Sequence, residues 1–223
     1  HHSGTVRSPE WCVGRTLPQH YTKNMNTSWQ PTAPLIALHL RARLYRDLRQ
    51  FFATRQVLEV ETPILSSGCL PDPMITSFYT DYHGPHPKRL FLHTSPEFPM
   101  KRLLAAGSGP IYQITKVFRD GEAGRWHNPE FTMLEWYRPG FTQDDLIQEL
   151  DELLQTVLHC QTAERARYCE VFEQYTHLPP LTVPLAILQN YATQFNLSDT
   201  QNLDRDTCLQ LILSHQIEPH LGQ

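Results

Sequence analysis

Arg119, Arg125, His127 and Phe131 lie in or beside one polar loop, Asp120 to Pro129. A guanidinium can fork onto a phosphate, an aromatic ring can stack on a base, and an imidazole can donate to an anion. Together the set suits a nucleotide. Glu135 follows Phe131 by four residues and Tyr137 follows Glu135 by two. Strand side chains alternate, so all three leave the same face. Glu97 adds a second acid, within Ser95-Pro96-Glu97. Each residue also has a plainer role open to it. Arg119 could form a strand-end ion pair, Phe131 fill a core and His127 hold a structural hydrogen bond. Glu97 could be an acid favoured by the dipole at a helix start.

These residues need a scaffold. An apolar run, Pro110 to Phe118, enters the loop, and an alternating run, Glu130 to Arg138, leaves it. With two glycines and a proline between them, the runs predict a β-hairpin with a long loop. Upstream, Leu35 to Phe52 has the spacing of an amphipathic helix, with Leu38, Ala42, Tyr45, Leu48 and Phe52 as its stripe. Val57 to Val60 is a short strand stopped at Thr62-Pro63. Ile75 to Tyr82 and Arg89 to His93 read as strands joined by the turn His83 to Pro87. A helix begins at Thr94-Ser95-Pro96-Glu97 and runs to Ala106, where Gly107 and Gly109 end it.

Thr142 caps a helix over Gln143 to Leu158, with Leu146, Leu150, Leu153, Leu154 and Val157 as its apolar stripe. Further helices are expected near Cys169 to Tyr175, Leu185 to Asn196 and Arg205 to His215. Strands followed by runs of helix predict an α+β fold, an antiparallel sheet flanked by helices. No Gly-x-Gly-x-x-Gly or Walker A stretch supports a Rossmann or P-loop fold.

Composition narrows the class. The chain has 223 residues and a net charge of −4, enough for a substantial core and without a basic footprint for bulk nucleic-acid binding. No apolar run is long enough to span a membrane. Five scattered cysteines without a Cys-x-x-Cys pair suit a reduced, cytoplasmic protein and no zinc framework, so no metal ligands are expected here. His1 and His2 resemble a tag remnant. His1 to Asn24 is expected to be tag or upstream sequence and disordered, with Met25 as the natural start.

Phe118-Arg119, a variable loop, and then His127-Asn128-Pro129-Glu130-Phe131-Thr132-Met133-Leu134-Glu135 resemble motif 2 of the class II aminoacyl-tRNA synthetases, in the lysyl, aspartyl and asparaginyl branch. Continued through Trp136-Tyr137-Arg138-Pro139, the stretch is most similar to lysyl-tRNA synthetase paralogues that modify elongation factor P. The helix, turn and strand ending at Thr62-Pro63 resemble motif 1, which implies a homodimer through Leu35 to Pro63. The resemblance implies ATP-dependent activation of a lysine-like amino acid and its transfer to a lysine of elongation factor P. By that resemblance Arg119 is catalytic, bridging the amino-acid carboxylate and the α-phosphate. Arg125 and His127 face the β- and γ-phosphates. Phe131 stacks on adenine, and Asn128 shapes the loop or touches the base. Glu135 and Tyr137 hold the distal ammonium, and Glu97 receives the amine near the carboxylate.

One position departs from the synthetase pattern Phe-Arg-Asn-Glu: Gly121 stands fourth, and the acid is displaced to Glu122. This counts against tRNA charging. The family's magnesium-binding strand and its motif 3, Gly-x-Gly-x-x-Arg, have no counterpart before Gln223. Residues 25–223 are therefore expected to be a partial class II catalytic domain, incomplete at the C-terminal end. Activity is expected to be crippled, and the Mg2+ ligands are expected beyond it. Few residues separate Met25 from the first helix, too few for an anticodon-binding OB barrel. A lysyl-tRNA-synthetase-like enzyme, or a non-catalytic module that dimerises or binds nucleotide, are the alternatives.

Overall fold

The structure is a computed structural model that describes residues 30–195 and 199–222. The expected tag or upstream segment and the start at Met25 fall outside those residues, as does Asn196. The chain divides into two compact units, one ending at Leu146 and one beginning at Ile147.

The first unit opens with α1 (Leu35–Thr54), followed by β1 (Leu58–Glu59), β2 (Leu65–Ser66), β3 (Tyr79–Tyr82) and β4 (Lys88–Leu92). Then come α2 (Glu97–Ala105), β5 (Ile111–Phe118) and β6 (Glu130–Tyr137). The predicted hairpin forms at nearly the predicted bounds. Its ladder is continuous, from Ile111 opposite Tyr137 to Phe118 opposite Glu130. β1 joins the other edge of β5, giving the order β1-β5-β6. A second sheet has the order β2-β4-β3. Single bonds stitch the two. Phe118 N–H donates to the His93 carbonyl at 3.0 Å, and Asp120 N–H donates to the Thr76 carbonyl at 2.8 Å.

Several expectations need correction. The sheets are not wholly antiparallel: β1 pairs with β5 in parallel, Leu58 opposite Ile111. A hairpin forces antiparallel pairing, but β1 reaches β5 through a long excursion that leaves either direction open. The strand expected from Ile75 begins only at Tyr79, and Thr76 survives as an isolated bridge to Asp120. The α1 stripe is buried only at its C-terminal half, at Leu48, Phe51 and Phe52. There Phe52 stacks on Tyr112 with ring centroids 4.3 Å apart and lies 5.7 Å from Trp136. Leu38, with Leu35, Ile36, Leu40 and Leu44, stays exposed because, among the described residues, no layer covers that half.

α3 (Gln143–Leu158) starts as expected. Thr142 Oγ accepts from Asp145 N–H at 3.2 Å, and Asp145 Oδ2 accepts from Thr142 N–H at 2.8 Å, a reciprocal cap. The Thr142 hydroxyl, donating to Asp145 Oδ2 at 2.7 Å, and then that backbone contact hold the Asp145 carboxyl below its ordinary range. Its buried residues are Glu149, Asp151 and Leu153, whereas Leu146 and Leu150 are exposed. The acid at 151 is buried because its two oxygens accept from Ala163 N–H and from Gln155, at 2.8 and 2.9 Å. The second unit continues with α4 (Tyr168–Thr176), α5 (Leu185–Ala192) and α6 (Arg205–Ile212). The last helix widens into a π turn over Leu213–Ile217, where the sequence predicted more α-helix. Its core is Phe172, Val183, Leu188, Cys208, Ile212 and Ile217. Arg205 pins the connection before α5, donating to the carbonyls of Val183 and Pro180 at 2.7 and 2.6 Å.

Candidate active site

The β5–β6 ladder has two faces with different tasks. Tyr112 and Trp136 point to α1, as their contacts with Phe52 show. Phe131, Met133, Glu135 and Tyr137 point the other way, because positions two apart share a face. Glu135 is the centre of that second face. Its Oε1 accepts from the Tyr137 hydroxyl and its Oε2 from the Ser95 hydroxyl, each at 2.6 Å. Burial pushes the Tyr137 phenol well above its ordinary range, and the bond to Glu135 and the negative charges of Glu135 and Glu97 add to the shift. Tyr137 is therefore a neutral donor to a carboxylate, with its oxygen lone pairs still free for a further donor.

Ser95 was not singled out in the sequence beyond its place before α2, yet it organises the pocket. It donates to Glu135 and accepts from Glu97 N–H at 3.1 Å. It thus joins the start of α2 to the strand that carries the acid. Its position two residues before Glu97 was the only sequence signal available. The Glu97 carboxylate pairs with Lys101, one helical turn on, at 2.5 Å. That pair is half exposed and sits at the rim.

Arg119 leaves the end of β5. Its Nε donates to the Thr94 carbonyl at 3.3 Å, and its guanidinium lies 5.1 Å from the Phe131 ring centre. Its backbone N–H is fixed by the Pro129 carbonyl at 2.9 Å, which closes the neck of the loop. Gly121 follows with a φ of 82°. That left-handed conformation favours glycine over the glutamate of the synthetase pattern. Arg125, His127 and Asn128 do not join this group. All three are exposed in the loop. Arg125 rests on Trp126 at 4.7 Å, and His127 Nε2 lies 3.9 Å from Glu122.

A cavity of about 540 Å³ opens over the strand face, lined among others by Thr94, Ser95, Glu97, Arg119, Met133 and Glu135. One wall carries carboxylates and another a guanidinium. Such a cavity suits a ligand that is cationic at one end and anionic at the other. A neighbouring cavity of about 840 Å³ shares Leu70, Ser95 and Phe98 with it.

Residues 29–205 match the family model described as tRNA synthetases class II (D, K and N). The chain belongs to the class II tRNA synthetase family. It is 49% identical over 199 residues to the elongation factor P–(R)-β-lysine ligase of Mannheimia succiniciproducens, covering 88% of this chain and 62% of that protein. It is 50% identical over 198 residues to the same ligase of Haemophilus influenzae, covering 87% and 61%. With the ligase of Photobacterium profundum the identity is 48% over 204 residues, covering 89% and 63%. The chain thus spans less than two thirds of the length of these curated relatives.

Proposed function

We propose that the protein activates a lysine-like amino acid with ATP and passes it to a lysine of elongation factor P. The observation that carries this is the Glu135 carboxylate, held by two hydroxyls on the strand face that also bears Phe131. The relatives, named as (R)-β-lysine ligases of elongation factor P, support the same substrate and partner. In the first step an oxygen of the amino-acid carboxylate attacks the α-phosphorus of ATP, and the bond to pyrophosphate breaks. In the second, the acceptor amine attacks the activated carbonyl, AMP leaves, and the amine gives up a proton.

Arg119 is suited to both the carboxylate and the α-phosphate, since a fixed planar cation matches charge that builds at phosphorus. Phe131 takes the adenine, Asn128 shapes the loop or touches the base, and Arg125 and His127 close on the outer phosphates. Glu135 and Tyr137 hold the distal ammonium, and Glu97 the proximal amine after releasing Lys101. Among the described residues no three His, Cys, Asp or Glu side chains gather as a metal site. Residues 25–223 are read as part of one catalytic domain, a reading supported by the matched span. The exposed apolar half of α1 supports a homodimer through Leu35 to Pro63. No described helix is long and apolar enough to cross a membrane, and the free cysteines fit a cytoplasmic setting.

The test is amino-acid-dependent exchange of pyrophosphate into ATP by a chain of the relatives' full length. Exchange with (R)-β-lysine or lysine, followed by a mass increase on elongation factor P, is the expected result. Exchange only with a neutral or acidic amino acid contradicts the assignment. Transfer to tRNA in place of protein favours the synthetase-like alternative.

A further inference from the structure

Gln113 is 1% exposed and lies directly opposite Glu135 in the ladder. Facing residues of an antiparallel pair leave the sheet on the same side. Gln113 therefore shares the site face, although it lines neither cavity described above. β5 is the central strand. On the β1 side its carbonyl oxygen accepts from the Thr62 hydroxyl at 2.9 Å. Its amide nitrogen finds no acceptor among the described residues.

A buried N–H without an acceptor is costly, and an apolar side chain of the same shape would avoid that cost. Across β5 from Thr62, on the β6 side, stands Glu135. The orphan N–H thus marks a donor that waits for an acceptor. Glu135 is the acid on that side. Its two oxygens each hold one hydroxyl and have lone pairs to spare. An entering ammonium must reach those spare lone pairs, and the carboxylate must turn to present them.

We propose that Gln113 is a positioning residue for Glu135. When a cationic side chain enters, the Gln113 amide N–H donates to the carboxylate and holds it turned toward the ammonium. The inference rests on the lysine-like substrate proposed above and adds a residue that nothing in the motif pattern marks.

Two variants separate positioning from packing. Gln113→Met keeps the length of the side chain and removes the donor. Thr62→Val removes the hydroxyl and leaves the amide N–H in place. In pyrophosphate exchange, Gln113→Met is expected to raise the KM for the cationic amino acid by about 10- to 100-fold, the range for one hydrogen bond to a charged group. The KM for ATP and the melting temperature should stay near those of the wild type, and preference for lysine over norleucine should fall in step. Thr62→Val should leave the amino-acid KM close to the wild-type value. Equal shifts for the two variants overturn the proposal. So does a Gln113→Met loss that appears alike in the melting temperature and in both KM values. A wild type that exchanges normally beside an unchanged Gln113→Met removes this inference alone. A wild type that exchanges with no cationic amino acid removes the underlying function, and this inference with it.

Discussion

The two ends of the β5–β6 hairpin are built to different standards. At the ladder end, Glu135 is gripped by Ser95 and Tyr137 at 2.6 Å, and those donors sit on a helix start and a strand. At the loop end, Arg125, His127 and Asn128 are exposed; Arg125 rests on Trp126 and His127 approaches Glu122, both within the loop. Arg119 stands between, anchored by Thr94 and Pro129. The difference teaches where specificity and where adaptability reside. A carboxylate already gripped on the ladder has only to turn in place to take an ammonium, whereas an open cationic loop can fold over phosphates of variable position.

This contrast can be broken at four points, in falling order of effect. Arg119→Ala is expected to lower the rate of pyrophosphate exchange by about 10²–10³, the usual loss for one electrostatic donor at a reacting centre. A milder loss would move the chemistry away from the middle of the hairpin. Glu135→Gln keeps the shape and removes the charge. The expected rise in amino-acid KM is about 30-fold or more, as for loss of one partner of a buried charge pair. ATP affinity should barely change. If both fall together, the two ends are not separate.

Tyr137→Phe should cost about tenfold in amino-acid KM, near the lower bound for a hydrogen bond to a charged group. It also carries a pH signature. The phenol is raised in the folded state, so its stabilising contribution is present below the unfolded value of about 10 and is lost as pH rises beyond it. Urea midpoints at pH 8 and pH 10.5 should fall further apart in the wild type than in Tyr137→Phe. The smallest effect belongs to the loop. His127→Ala should raise the KM for ATP by a factor of about 3–5, as one solvent-exposed contact does, and leave amino-acid discrimination intact. Trp126, 80% exposed beside Arg125, provides the readout. ATP should shift its fluorescence in the wild type, and a silent indole would deny that the loop closes.

The hairpin was legible in the sequence because everything that defines it is local. Alternation along Glu130 to Arg138 and the glycine-bearing loop predicted its strands to within a residue or so. The strand face of Phe131, Glu135 and Tyr137 followed from spacing alone. Contacts across long separations were not legible. Ser95 reaches Glu135 over 40 residues, and Thr62 reaches Gln113 over 51. No pattern in either segment announces its partner. β2 has two residues, too few for periodicity to register. The α1 stripe was legible as an apolar face, but amphipathic spacing does not show what covers it. Leu48 and Phe52 are buried, with Phe52 stacked on Tyr112 of the sheet, whereas Leu38 stays exposed among the described residues.

The parallel register of β1 on β5 has a kinetic consequence. Glu59 accepts from the Tyr112 hydroxyl at 2.9 Å across 53 residues of chain, and Arg49 holds the same carboxylate. Hairpins close within about 1–10 μs, whereas a pairing that spans a long loop must first pay for its closure in chain entropy. The ladder bearing Phe131, Glu135 and Tyr137 is thus expected to form early, and β1 to dock late. Glu59→Gln should then speed unfolding while scarcely slowing the folding limb, the pattern of a contact made after the transition state.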